Sequence, residues 1–208
     1  MLKIGLIFSM TIFAFLKAEA TKIKGQIIYD RDTVEVLMNI PTTLLTQEVK
    51  FEKIQQKIKY FDSEGNKKTV RPDDAKEIRF LYQSEEVRMV SVRNTLGLGN
   101  IFNSNENIFL KIEIDDRLKL FRYYQTQRSS GMYNANTGMT TGGFSYSVEN
   151  YVLQKGNGQL TRPVGLSFKK DMIKFFNDCP KLSRKIEEKE FRKRDIEAIV
   201  LFYNENCN

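Results

Sequence analysis

Residues Ile108 to Ile114 and Leu118 to Gln125 alternate apolar and polar side chains more cleanly than any other part of the chain, with Asp115-Asp116 as the turn between them. A side-chain period of two places Ile108, Leu110, Ile112 and Ile114 on one face and Lys111 and Glu113 on the other. In the returning arm Leu118, Leu120, Arg122 and Tyr124 oppose Phe121 and Tyr123. Two such runs joined by so short a turn can meet both patterns only as an antiparallel hairpin inside a sheet.

Much of the chain before and after repeats this grammar. Lys22 to Tyr29 and Thr33 to Ile40 read as a hairpin around Asp30-Arg31-Asp32, ended by Pro41. Thr42 to Phe51 has no clear period. Ile54 to Phe61 reads as a strand, and Asp62-Ser63-Glu64-Gly65-Asn66 turns it back into Lys67 to Val70. Glu77 to Tyr82 and Val87 to Val92 follow as two more strands, and Asn94 to Asn107 as a Gly- and Asn-rich loop. Gln127 to Gly143 holds mainly Ser, Thr, Asn and Gly, so it reads as a long surface loop with little apolar area to bury. Ser145 to Lys155 is a strand, Gly156-Asn157-Gly158 a tight turn and Gln159 to Val164 its short partner.

At Ser167 the period changes. Phe168, Met172, Ile173 and Phe176 follow helical spacing, with Ser167 as the N-cap. Pro180 disfavours helix at Cys179 and can open a second helix, in which Leu182 and Ile186 form the buried pair. Ile196, Ile199, Val200 and Tyr203 form the stripe of a third.

The first twenty residues read as an export signal. Lys3 gives the positive start, Ile4 to Leu16 an apolar run broken only by Gly5, Ser9 and Thr11, and Ala18-Glu19-Ala20 a small-x-small cleavage pattern with the cut before Thr21. The alternative is an uncleaved N-terminal anchor. No transmembrane span is expected in the mature chain, because no later apolar run approaches the length needed to cross a membrane. In an exported protein two lone cysteines pair, which joins Cys179 to Cys207. There is no C-x-x-C to make them a redox pair.

The chain has no His and only two Cys. A Ser-His-Asp triad, a Cys-His dyad, a His-containing zinc site and a four-cysteine zinc site are therefore excluded within it. No cofactor and no metal site is expected. An enzyme would have to use Asp, Glu, Lys, Tyr or Ser alone. The paired acids Asp73-Asp74 and Asp115-Asp116 lack the alternating ligand spacing of a calcium loop and suit turns instead. The net charge of +7 is spread along the chain, so it reads as a mildly basic surface with no nucleic-acid partner. In the tail, Arg184–Glu188, Glu190–Arg194 and Lys193–Glu197 are spaced to pair along a solvated helical face. Tyr123, Tyr124, Tyr133, Tyr146 and Tyr151 could form a ligand, glycan or partner surface, or simply fill the sheet.

The run Phe175-Phe176-Asn177-Asp178-Cys179-Pro180-Lys181-Leu182, with Ile196-Glu197-Ala198-Ile199-Val200 and Tyr203-Asn204-Glu205-Asn206-Cys207 after it, resembles the ending of uncharacterised exported proteins of Bacteroidetes-type bacteria. The Gly25-Gln26-Ile27-Ile28 hairpin and the Gly65 turn resemble the strand-rich front of the same group. The resemblance implies export, a β-then-α layout and the cysteine pairing, and it brings no activity.

The expected fold is α+β: a twisted antiparallel sheet or partly closed β-barrel of eight to ten strands, then two or three C-terminal helices. The division is a signal at 1–20, a β-rich body at 21–166 and a helical unit at 167–208 packed on the body. The expected function is a non-enzymatic binding or scaffolding module of the cell envelope, with envelope proteins as partners. The alternatives are a carrier for a small apolar ligand, with an apolar cavity inside the curved sheet, and a carboxylate-only hydrolase.

Overall fold

The computed structural model describes residues 20–43, 46–99, 106–135, 137–165 and 167–207. The expected export signal lies outside them, apart from Ala20. The described residues open with strands β1 (Thr21–Ile28) and β2 (Thr33–Ile40), then a single-turn helix α1 (Phe51–Ile54). Strands β3 (Ile58–Phe61), β4 (Lys67–Val70), β5 (Glu77–Tyr82) and β6 (Glu85–Arg93) follow. Next come β7 (Asn107–Ile114), β8 (Leu118–Arg128), β9 (Met132–Asn134), β10 (Met139–Thr141) and β11 (Ser145–Lys155). The tail is α2 (Phe168–Phe175), α3 (Pro180–Glu187), a 3-10 turn at Lys193–Asp195 and α4 (Ile196–Asn206).

Nine strands form one open sheet in the order β11-β8-β7-β6-β5-β1-β2-β3-β4, with every neighbouring pair antiparallel. The fold is α+β as the sequence predicts, and the sheet does not close into a barrel. Gly25 is required where β1 meets both neighbours. A β-carbon there would lie 2.5 Å from the Arg79 carbonyl oxygen and 2.9 Å from Met38 Cε.

Three apolar clusters hold the sheet. One face of its N-terminal half carries Ile27, Met38, Ile78, Phe80, Met89 and Phe109, none more than 2% exposed, with Ile54 of α1 packed among them. The same face at the β8–β11 end carries Leu118, Leu120 and Leu153 under the buried stripes of α2, α3 and α4. The opposite face holds Val92, Ile108, Leu110, Phe121 and Val152, covered by Leu98 and Leu160 from two loops. Each fully buried side chain of this size contributes about 1.5–3 kcal/mol. Asn94 shapes the first of these loops, its Nδ2 donating to the Leu98 carbonyl and its Oδ1 accepting the Leu98 N–H, and Thr95 Oγ1 accepts from Leu160 N–H at 2.9 Å.

Residues 54–57 depart from the predicted strand. Phe51–Ile54 is helical, and the strand begins only at Ile58. The reason is Gln55. Strands β7 and β8 pair as far as Lys111 opposite Arg122 and then part. Gln55 fills the gap: its carbonyl accepts Phe109 N–H at 3.0 Å, its Oε1 accepts Tyr124 N–H at 2.7 Å, and its Nε2 donates to the Tyr124 carbonyl at 2.9 Å. One side-chain amide thus replaces a strand neighbour for Tyr124. Beside it Phe51 stacks on the Tyr124 ring at 4.6 Å, a contact worth about 1 kcal/mol beyond its buried area.

The predicted loop from Gln127 to Gly143 also differs. β8 runs on to Arg128, and β9 and β10 pair as a small hairpin beyond it. Gln159 to Val164 makes only one bridge, Thr161 with Leu153, instead of a paired strand. Ser167 does not cap the α2 backbone, because its hydroxyl bonds the Asp171 carboxylate at 2.5 Å. The predicted i, i+4 pairs in the tail do not form. Glu190 meets Lys185 at 2.5 Å, Asp195 meets Arg194 at 3.7 Å, and Glu197 faces the sheet. Arg184 and Glu188 keep helical spacing without pairing, Glu190 lies outside any helix after the turn at Lys189 (φ +64°), and the 3-10 turn at Lys193–Asp195 breaks the α-helical spacing between Lys193 and Glu197.

Cys179 and Cys207 are disulfide-bonded, with Cα atoms 5.5 Å apart, and both are buried. A second joint lies beside them. Lys155 of β11 donates to Asp178 Oδ1 at 2.6 Å, and Tyr203 donates to Asp178 Oδ2 at 2.7 Å. The Lys155 ammonium sits 4.6 Å from the Phe175 ring centre and 5.1 Å from that of Tyr203. Burial, reinforced by the bond to Asp178, pushes the Tyr203 hydroxyl up to about 12.

Candidate functional site

The structure divides the five tyrosines. Tyr123 and Tyr124 are adjacent in β8 and therefore point to opposite faces. Tyr123 belongs to the core under Leu98, where its hydroxyl accepts Gly99 N–H at 2.9 Å. Tyr124 is buried against Phe51 on the helical face, and burial raises its hydroxyl far above the ordinary range. Tyr151 is half-buried on that same face and donates to Glu197 at 2.7 Å. Tyr146 is exposed near the end of the β8–β11 hairpin and donates to Gln127 at 3.0 Å. The Tyr133 side chain lies outside the described residues.

Between α1 and the C-terminal helices, the sheet face carries a polar seam centred on Arg122. Its Nε lies 2.9 Å from Glu113 Oε1, its Nη1 bonds Glu149 at 2.7 Å, and Glu197 stands 3.9 Å away. The Glu113 approach is an ion pair without hydrogen-bond alignment, since neither atom has a directed partner. Lys111 adds a contact to Glu113 at 3.0 Å. Burial works against the Arg122 charge, but Glu113 and Glu149 outweigh it and raise its pKa. Three carboxylates from two strands and a helix thus converge, which sequence spacing could not reveal. Glu113 and Glu149 are paired with Arg122, and Glu197 accepts from Tyr151, so the cluster braces α4 against the sheet.

On the opposite face, an open hollow of about 600 Å³ is floored by Leu37, Phe61 and Leu81, with Lys24, Gln26 and Glu35 at its sides. Behind it Glu77 holds two arginines that are direct cross-strand partners: Arg88 Nε at 2.6 Å and Arg79 Nε at 2.7 Å. Burial pushes the Glu77 carboxyl up, but Arg88 and Arg79 prevail and hold it below its usual 4.5. Because the folded value is depressed, this contribution is complete above pH 4.5 and is lost as the pH falls through the depressed value. Glu77→Gln is expected to cost about 2 kcal/mol at neutral pH, a figure lowered for the partial exposure of the arginines. Its stability should also fall less steeply than the wild type's below pH 4.5. Urea titrations across the acid range would read this, and equal slopes in the two proteins would remove Glu77 from the account.

The surface with the clearest character is the outer half of the β8–β11 hairpin. The two strands pair residue for residue from Leu118 with Lys155 to Arg128 with Ser145. Their inner halves are packed, whereas Gln125–Arg128 and Ser145–Ser147 are exposed on both faces, so the hairpin projects as an arm. Beyond it lie β9 and β10. Met139, Phe144 and Tyr146 are 71%, 68% and 45% exposed, and the rings of Phe144 and Tyr146 lie 5.8 Å apart. Gly143 lets the arm close, since a β-carbon there would stand 2.0 Å from the Ser129 carbonyl oxygen. β11 is also the last strand of the sheet, and among the described residues its outer edge carries only the Leu153–Thr161 bridge. Exposed apolar rings beside an open strand edge can accept an added strand from another chain. Sequence reading found Tyr146 but missed Phe144 and Met139, because low complexity hid the hairpin that displays them.

No family model, no curated protein and no solved structure matches the chain.

Proposed function

We propose that the chain is a non-enzymatic binding module of the cell envelope, exported by its N-terminal signal, and that the β8–β11 arm docks another envelope protein. The observation that carries this reading is the arm itself, which holds Met139 and Phe144 in solvent next to an open strand edge. Large apolar side chains grouped in this way are a mark of protein contact. The carrier reading asks for an apolar cavity inside the sheet, yet that space is occupied by Met38, Phe80, Met89 and Phe109. The hydrolase reading asks for carboxylates free to exchange protons, and those of the seam are ion-paired or bonded to Tyr151. Export is supported by the Cys179–Cys207 bond, which suits an oxidising compartment, and by the resemblance of the tail to exported Bacteroidetes-type proteins.

The test is crosslinking in intact cell envelopes followed by mass spectrometry, comparing the wild type with Met139→Asp/Phe144→Asp. A discrete set of partners should crosslink to the wild type and be lost from the variant. Crosslinks equal in both, or none above background with the wild type, would overturn the reading.

A further inference from the structure

Lys50, Lys53, Lys57 and Lys59 line a single hollow of about 380 Å³ between α1 and the adjoining ends of β2 and β3. Their convergence follows from local structure. Lys50 and Lys53 flank and belong to the single turn of α1, Lys57 follows Gln55 and Gln56, and Lys59 lies on β3 opposite Asn39. No Asp or Glu lines the hollow. None of the four lysines forms an ion pair among the described residues, whereas Lys68, Lys76, Lys111, Lys155 and Lys185 all do. The acid of α1, Glu52, is instead in contact with Ser147 at 3.4 Å.

Four lysines lining one concavity give it a positive field, and a multiply charged anion seated there would be drawn by all of them. Lysine donors are compact and can rotate onto phosphate oxygens as point charges. The volume fits a small molecule or one headgroup. The rim bears on the same point. Ala20 lines the hollow, and Thr21 Oγ1 is 3.3 Å from Oγ1 of Thr42, another lining residue. Cleavage before Thr21 would remove Ala20 and leave a positive α-amine beside Thr42.

We infer that this hollow binds a phosphate-bearing anion with at least two negative charges. The ligand is either a soluble phosphate compound or an anionic lipid headgroup at a membrane surface. The site is separate from the arm and stands or falls independently of the docking proposal.

The test is titration of the purified protein, disulfide intact, with inorganic pyrophosphate by calorimetry. A parallel arm measures co-sedimentation with vesicles containing cardiolipin, whose headgroup carries two phosphates, against phosphatidylcholine vesicles. Lys53→Gln/Lys57→Gln should weaken binding by roughly tenfold or more. Lys169→Gln/Lys170→Gln, which removes the same charge from exposed positions on α2, should change it by less than about twofold. Saturable pyrophosphate binding without vesicle binding would assign a soluble ligand, and the reverse would assign a headgroup. Binding of neither probe by the wild type, or equal loss in both double variants, would overturn the inference. Near-ultraviolet circular dichroism confirms that the variants are folded.

Discussion

Gln55→Leu is expected to lower the stability of the protein by about 3 kcal/mol or more. The substitution keeps an apolar stem of similar length in the gap between β7 and β8. It removes both partners of Tyr124, whose N–H and carbonyl are bonded by the Gln55 amide at 2.7 and 2.9 Å in a buried setting. A buried polar group left without a partner costs about 1–3 kcal/mol, and here there are two on one residue. The Phe51–Tyr124 stack leans on the same geometry and should loosen with it. Gln125→Leu, at the exposed neighbouring position, is the control and should stay within about 0.5 kcal/mol of wild type. Urea denaturation measures both. A loss below about 1 kcal/mol for Gln55→Leu would mean that the parting strands are satisfied without the glutamine.

The second large effect is expected from the disulfide. Cys179 and Cys207 are 28 residues apart in sequence, and a closed loop of that length restricts the unfolded chain by about 3–4 kcal/mol in the entropic description. Cys179→Ala/Cys207→Ala should lose about that much, and alanine avoids placing new hydroxyls among buried neighbours. Thermal unfolding of the variant, and of the wild type with and without reductant, reads the difference. The alternative support is the Lys155–Asp178–Tyr203 joint at the same corner. If the double alanine variant melts with the wild type, that joint alone holds the tail, and the covalent bond adds nothing to stability.

The parts of this fold that were legible from residues alone are those governed by one strong local rule. Alternation gave β7 and β8 and their faces except at Ile114, which a bulge after Ile112 turns to the opposite face with Leu120, and helical spacing gave the buried stripe of α4 down to Tyr203. Pro180 opens α3 because its missing N–H falls where a helix has no use for one. What escaped were structures set by distant partners. Gln55 reads as an ordinary polar residue, and only the separation of two strands more than fifty positions downstream makes it a strand substitute. The arm escaped because β9 and β10 carry little apolar pattern and are organised by the strands they extend. The seam escaped because Glu113, Glu149 and Glu197 come from three separate elements.

The strand order carries a consequence for how the molecule comes into being. Counted outward from its middle, the sheet is two runs of neighbours in sequence, β1 to β4 and β5 to β8, joined where β1 meets β5, with β11 added outside β8. That junction is only four residue pairs long, Gly25–Ile28 with Glu77–Phe80, and it unites chain segments about fifty residues apart. Each run can form from local turns within microseconds to milliseconds, while the junction must wait for a long loop to close. A chain made from its N-terminus presents the first run before the second exists. The early meander therefore stands with its β1 edge bare until β5 arrives, and during that interval β1 is the strand most open to pairing with the wrong chain.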